Sequence, residues 1–385
     1  MSRRLRVAML AHSTNPRGGV VHALNLSEAL ADCGHDVVLH APDALGEGFF
    51  RPARCAIRPF AVSAAARDIH AMIEQRVADY VAYFSEPQNR HFDVYHAHDG
   101  ISGNALATMK ADGLISGYVR TVHHLDDFAD PRVAALQARS IREADAWLTV
   151  SAIWRDVLRE RFGVDSAVAG NGVDLGRFRP EPDGHELEVR RRLGLGPGPI
   201  FLCVGGVEAR KNTLRMLEAF AELAVLRPDA ELVIAGGASL LDHDGYQSAF
   251  AARLATLGSV AASVRRLGVI ADRDMPRLYR LASALVFASV KEGFGLCVLE
   301  AMASGVPVVA PSIEPFVGYL APQDALWCDP MNVQTIADAM ALALREEPAR
   351  SLRARGPRVA ARFEWSAVAE AHEPQYRRLL EVANA

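Results

Sequence analysis

Short apolar runs alternate with longer amphipathic ones along this chain. "LRVAML" (5–10), "HDVVLHA" (35–41), "FDVYHAH" (92–98) and "GYVRTVHH" (117–124) are too short for ordinary helices, so they predict buried strands of a parallel sheet. Between the first two, Ala23, Leu26 and Leu30 fall at helical spacing, and a helix is predicted from about Val20 to a stop at Gly34. The alternation is a βαβ series.

The rhythm breaks at "RPEPDGHELEVRRRLGLGPGP", Arg179 to Pro199, which mixes proline, glycine and charge like a linker holding one short helix. It then restarts: "IFLCVGG", "ELVIAGG", "VRRLGV", "ALVFAS" and "PVVAP" supply a second set of strands. The expected architecture is α/β, with two doubly wound, Rossmann-like domains over residues 1–183 and 184–364. Residues 365–385 read as a helix that either completes the second domain or crosses back to the first.

A chain of 385 residues suits two such domains. Half of its residues are hydrophobic and its formal net charge is −4, which argues against disorder and against a general polyanion-binding surface, so nucleic acid is not an expected partner. The five cysteines are scattered with no Cys-x-x-Cys pair, which fits a reducing, cytoplasmic setting. The apolar part of "MSRRLRVAML" is far shorter than a signal-peptide core, and no later run approaches the roughly 18 residues of a membrane span. A soluble protein is expected, with peripheral membrane attachment and oligomeric state left open; the basic segments "RRLR" and "VRRRLG" read most simply as solvated faces. Among the 42 basic residues only Lys110, Lys211 and Lys291 are lysines, and two of these fall in stretches that look chemical on other grounds.

In open α/β sheets ligands gather at the carboxyl ends of strands, where loops and helix N-termini offer free N–H groups. Gly18 and Gly19 follow the first predicted strand and precede a helix, so they either bring backbone close to a ligand or close a tight turn. "LCVGGVEARKN" repeats the placement in the second half, where Arg210 and Lys211 would suit a diphosphate. Their position at a helix start is unfavourable for cations and argues for an anion nearby. In "KEGFGLCVLEAMASGVPVVAP", Phe294, Gly295 and Leu296 open a helix ended by Gly305, and their amides would face an anion. Glu300 is the only charged residue from Leu296 to Pro311, and a carboxylate in such surroundings needs a hydrogen-bonding partner. It lies about five residues along that helix, roughly 7 Å, which is comparable to the span from a nucleotide's diphosphate to its ribose. A vicinal diol would satisfy it; so would a structural bond to backbone or a buried arginine. Glu292 would then sit by the group being transferred.

His96, His98, His123 and His124 stand at two strand ends beside Asp99, Asp126 and Asp127. No His-Glu-x-x-His or cysteine partner accompanies them, so polar contacts to a sugar or aid to proton transfer fit better than a metal, and no divalent-metal requirement is expected.

These stretches resemble the retaining glycosyltransferases of family four. The likeness rests on the N-terminal Gly-Gly loop, "HAHD", "TVHH", "VS" at 150–151, "GNGVDLGRFRP", "GGVEARKN" and, above all, "KEGFGLCVLEAMASGVPVV" with its Glu-x7-Glu pattern from Glu292 to Glu300. The resemblance implies a GT-B fold, two Rossmann-like domains facing an interdomain cleft, and transfer of a hexosyl group from a nucleotide-diphosphate sugar with retention of configuration. It implies Glu300 on the ribose hydroxyls, Arg210 and Lys211 on the diphosphate, and Glu292 with the Phe294, Gly295 and Leu296 backbone on the donor sugar. His123 would act near the reacting face with Gly19 lining the same cleft, and Gly18, His98 and Asp99 would face the acceptor. Gly206 stands where many relatives carry arginine, and "PSIEPFVGYL" matches the usual donor-side acidic segment loosely. Three other readings are an epimerase on the same fold, a nucleotide-sugar-binding module without transfer, and a Rossmann dehydrogenase. The last is weakened because no Gly-x-Gly-x-x-Gly follows either first strand.

Overall fold

The computed structural model describes residues 4–237 and 244–383. It divides into two compact units, one running to Asn171 and including the segment from Trp365, the other Gly172–Glu364.

The first unit contains β1 (Arg6–Leu10), α1 (Gly18–Asp32), β2 (Asp36–Asp43), β3 (Ala56–Ala61), α2 (Ile69–Ser85), β4 (Val94–Ala97), α3 (Gly100–Ala111), β5 (Val119–Val122), α4 (Pro131–Arg142), β6 (Ala146–Thr149), α5 (Ala152–Phe162) and β7 (Ala167–Val168). Its seven strands form one parallel sheet ordered β3-β2-β1-β4-β5-β6-β7. Alternate residues of β1 serve opposite faces, as the strand's two-residue period requires. Val7 and Met9 join a core with Val20, Leu24 and Leu30 of α1, while Ala8 and Leu10 join one with Tyr80, Phe84 and Leu106. Because the chain leaves β1 toward β2 and returns at β4 on the other side, the loops after β1 and β4 are brought together at a topological switch point.

The second unit contains α6 (Glu186–Arg192), β8 (Ile200–Val204), α7 (Thr213–Leu226), β9 (Glu231–Ala235), α8 (Asp244–Ala255), β10 (Val264–Gly268), α9 (Met275–Leu281), β11 (Ala284–Val286), α10 (Leu296–Ala303), β12 (Val308–Pro311), α11 (Phe316–Tyr319), β13 (Leu326–Cys328), α12 (Val333–Ala343) and α13 (Glu346–Ala360). Its parallel sheet is ordered β10-β9-β8-β11-β12-β13, so its switch point lies where the loops after β8 and β11 meet. Those two loops are "GGVEARKN" and "VKEGFG".

The last helix, α14 (Trp365–Ala383), packs on the first unit and lends Val368, Ala369, Tyr376 and Leu379 to the core beneath α1. The division falls at Asn171 rather than the expected residue 183, because residues 172–183 are held by the second unit. Arg177 pairs with Asp272 at 2.5 Å, Phe178 packs edge-on against Tyr279, and Asp183 pairs with Arg277 at 2.9 Å. The arginines of "VRRRLG" are also engaged locally: Arg190 donates to the Gly196 and Gly198 carbonyls, and Arg192 pairs with Asp274 at 2.6 Å. Of "RRLR", Arg3 lies outside the described residues.

Candidate active-site clusters

In the second unit the question posed by Glu300 has half an answer. Its Oε2 accepts a hydrogen bond from the Tyr279 hydroxyl at 2.7 Å, and no second side-chain bond to it is seen among the described residues. Tyr279 is fully buried on α9, so its hydroxyl is fixed in place. Burial pushes the Glu300 carboxyl up from the ordinary range, opposed by the Tyr279 bond and by the nearby Arg177 guanidinium. One carboxylate oxygen therefore keeps its accepting capacity for a ligand.

Glu300 sits on α10, whose entry is set by Gly295. That residue has φ +95°, and a Cβ there would stand 2.6 Å from the Phe316 ring, so both conformation and space demand glycine. The amides of Phe294, Gly295 and Leu296 have no backbone acceptor among the described residues, which leaves the N-terminus of α10 able to receive an anion.

Arg210, Lys211 and Glu292 meet at the switch point. The buried Glu292 takes Arg210 Nη1 at 2.7 Å and Lys211 Nζ at 2.8 Å on the same oxygen, Oε1. The anion that the two cations at a helix start seemed to call for is thus, first of all, the protein's own carboxylate. Lys211 Nζ also lies 4.8 Å from the centre of the Phe287 ring, a cation–π contact that further fixes the ammonium. The buried Glu208 lies 4.0 Å from Arg210 Nη2, so two cations meet two carboxylates beside the open amides of α10. The backbone here is pinned by Asn212, in the left-handed region at φ 61°, whose Nδ2 donates to the Ala288 and Pro330 carbonyls at 3.0 and 2.6 Å. Sequence reasoning passed over Asn212 and Tyr279. The first was legible, since asparagine tolerates that conformation next to a Gly-Gly loop; the second lies about twenty residues from its partner in a segment with no distinguishing pattern.

In the first unit the switch point gathers imidazoles. His98 Nδ1 lies 3.3 Å from His123 Nε2, and His98 Nε2 contacts Met9 Sδ at 2.7 Å. A Cβ on Gly19 would touch the His123 ring at 3.6 Å, which confirms that Gly19 and His123 are neighbours, whereas one on Gly18 would meet nothing within 4 Å. His22, one helical turn beyond Gly18, completes the group with its ring centre 4.7 Å from that of His123, and Nδ1 donates to Asn171 Oδ1 at 2.5 Å. Sequence reading stopped at the glycines and missed His22, although its spacing puts it on their face of α1. Burial depresses the His22, His98 and His123 basicities, His22 to about 3, so all three rings are neutral near pH 7.

His96, His124 and Asp99 each make contacts within the fold. His96 is fully buried between Tyr376 Oη at 2.9 Å and Thr121 Oγ1 at 2.7 Å, so it anchors α14 rather than facing a ligand. His124 pairs with Asp126 at 3.4 Å. Asp99 caps α3 in a capping box, its Oδ1 accepting from the Ser102 amide at 2.8 Å; its Oδ2 is buried without a hydrogen bond, 3.8 Å from His12 Nδ1.

Two parallel, doubly wound sheets, each with its ligand-side loops gathered at a switch point, make the pair of Rossmann-like domains of the GT-B fold. The family model for Glycosyltransferase Family 4 matches residues 16–177, and that for Glycosyl transferases group 1 matches residues 187–357. The chain belongs to this family; it is a retaining-type hexosyltransferase that works with nucleotide sugars. It is 28% identical to the glycogen synthase of Mycobacterium tuberculosis over 392 residues, covering 92% of this chain and 89% of that one. Its fold matches sucrose-phosphate synthase from Thermosynechococcus elongatus with a TM-score of 0.78 at 21% identity, over 98% of this chain and 100% of that one. It also matches the Anabaena protein HepE in complex with UDP-glucose, with a TM-score of 0.76 at 16% identity over 98% and 100% of the two chains. Among the described residues no helix is long and apolar enough to cross a membrane.

Proposed function

We propose that the second unit holds the nucleotide sugar through Glu300 and the Arg210–Lys211–Glu292 cluster, and that His123 of the first unit assists transfer to an acceptor in the cytoplasm. The observation that carries this reading is Glu300, with one oxygen held by Tyr279 and the other available, on the same helix whose first amides are open. The available oxygen accepts from the ribose hydroxyls, and the amides of Phe294, Gly295 and Leu296 hold the donor's phosphate and sugar. Arg210 and Lys211 face the diphosphate. Glu292 keeps those two cations in position, which revises its expected role as a direct contact of the transferred sugar.

When the anomeric C–O bond breaks, its electron pair goes to the diphosphate, and fixed cations and amides stabilise that charge more in the transition state than before it. The acceptor oxygen forms the new bond on the face the diphosphate leaves, and its proton passes to a departing phosphate oxygen. No enzyme nucleophile and no metal is needed for that balance. His123 contacts the donor sugar near its reacting carbon, Gly19 leaves room beside it, and Gly18, His98 and Asp99 stand on the acceptor side. The cation missing at Gly206 leaves Arg210 and Lys211 as the diphosphate's side-chain partners.

A panel of nucleotide sugars, beginning with UDP-glucose, tests this by thermal shift. At a hundredfold excess over its dissociation constant the right donor adds about 2.7 kcal/mol of stability. Stabilisation of the wild type that disappears in Glu300→Ala is expected; equal stabilisation of both proteins contradicts the assignment.

A further inference from the structure

The three histidines of the first unit have an arrangement that sugar transfer does not call for. The Nδ1 of His22 donates to a carbonyl oxygen, so in the neutral ring Nε2 carries the lone pair, and that atom is fully buried with no hydrogen-bond partner. His98 donates through Nε2 to the Met9 thioether, an acceptor only, so its Nδ1 also presents a lone pair. His123 Nε2 lies 3.3 Å from that Nδ1, and one ligating nitrogen from each of the three rings falls within 4.8 Å of the others.

We infer that His22, His98 and His123 form a binding site for a single borderline transition-metal cation of the Zn²⁺ class, with the fourth coordination position open. Tetrahedral Zn–N bonds of about 2.0–2.1 Å place neighbouring nitrogens about 3.3–3.4 Å apart. The His98–His123 separation already has that value, and a small movement of His22 closes the rest. Only one proton changes place: His123 Nε2, the donor to His98 in the metal-free state, gives its ligating lone pair to the ion while the ring proton moves to Nδ1. The outer contacts are those a metal site uses, since Asn171 and Met9 hold the distal nitrogens of two ligands and fix their tautomers. Three neutral imidazoles with no carboxylate in the set select Zn²⁺, Cu²⁺ or Co²⁺ over Mg²⁺ and Ca²⁺. His123 is only partly buried, which gives the ion its way in. Because the ion engages the His123 ring assigned above to the reacting sugar, its binding blocks transfer. That consequence, unlike the site itself, rests on the proposed role of His123.

The test is a titration of chelator-treated full-length protein with Co²⁺, followed by visible absorption, then displacement with Zn²⁺. One Co²⁺ per chain, displaced by one Zn²⁺, is expected, with affinity falling at least about tenfold in His22→Gln and in His123→Ala and unchanged in Glu300→Ala. A folded wild type that binds no stoichiometric Co²⁺, or a spectrum that survives unaltered in both histidine variants, overturns the site. His123→Ala keeps the test alive should His22→Gln not fold, because His123 lies at the partly exposed edge of the group. In parallel, Zn²⁺ should stop transfer and a chelator restore it. Zn²⁺ that binds without inhibiting keeps the site and removes His123 from the chemistry.

Discussion

The two switch points of this molecule solve opposite problems. In the second unit Arg210, Lys211 and Glu292 are charged and tied together at 2.7 and 2.8 Å. In the first unit His22, His98 and His123 are held neutral by burial, and their bonds are to an amide, a thioether and one another. The same topology thus gathers charged side chains at the switch point of one unit and neutral imidazoles at that of the other. On the proposed reading, a leaving diphosphate uses the first and uncharged sugar hydroxyls the second.

The sharpest way to break the contrast is to remove charge from the second unit. Arg210→Gln should lower kcat by about 2–4 kcal/mol of barrier, the range for losing one transition-state partner. Glu292→Gln should also act mainly on turnover, since it leaves both cations but frees their geometry. Single-turnover rates check both, and a wild-type rate in Arg210→Gln would show that the cation serves only the fold. In the first unit His123→Ala should cost at least about tenfold in kcat/KM, read from steady-state kinetics; wild-type rates would make the residue structural.

A smaller effect sharpens the comparison through pH. Burial raises the Glu300 carboxyl above its ordinary 4.5, and the ionised form is the one that accepts two hydroxyls. A raised carboxyl contributes folding stability below its unfolded value and loses that contribution as pH rises through its folded value. Donor binding runs the other way and weakens as pH falls through the raised value. Calorimetric nucleotide affinities across that acid range should show the decline in the wild type and none in Glu300→Gln; parallel curves would assign the titration to another group.

Much of this was legible from the chain alone, for reasons that differ by residue. β1, β2, β4, β8, β9 and β12 lie within apolar runs that announced them, and the stop at Gly34 and the α10 N-terminus at Gly295 were signalled by glycine. β3 was missed because "AIRPFA" is mostly exposed and lacks a continuous apolar run, and β7 because two residues carry no period. Glu300 was readable as an isolated charge in an apolar stretch, but Tyr279 was not, since its pairing arises from packing of α9 against α10. The Arg210–Lys211 pair was visible while its pairing with Glu292 was not: only the strand order β9-β8-β11 brings residues about eighty positions apart to one oxygen. The histidines show the same limit, as four were noticed at strand tips and the one that completes the cluster, His22, sits on a helix.

The central claim is that Glu300 binds the hydroxyls of a nucleotide's ribose. It is tested most directly by a double comparison: calorimetric affinities of the best nucleoside diphosphate and its 2′-deoxy counterpart, each measured with the wild type and with Glu300→Ala. Hydrogen bonds to a charged group contribute about 1.5–3 kcal/mol, so the wild type should prefer the ribonucleotide by about tenfold or more and the variant should bind both alike. An equal preference in the two proteins would place the ribose elsewhere and contradict the account.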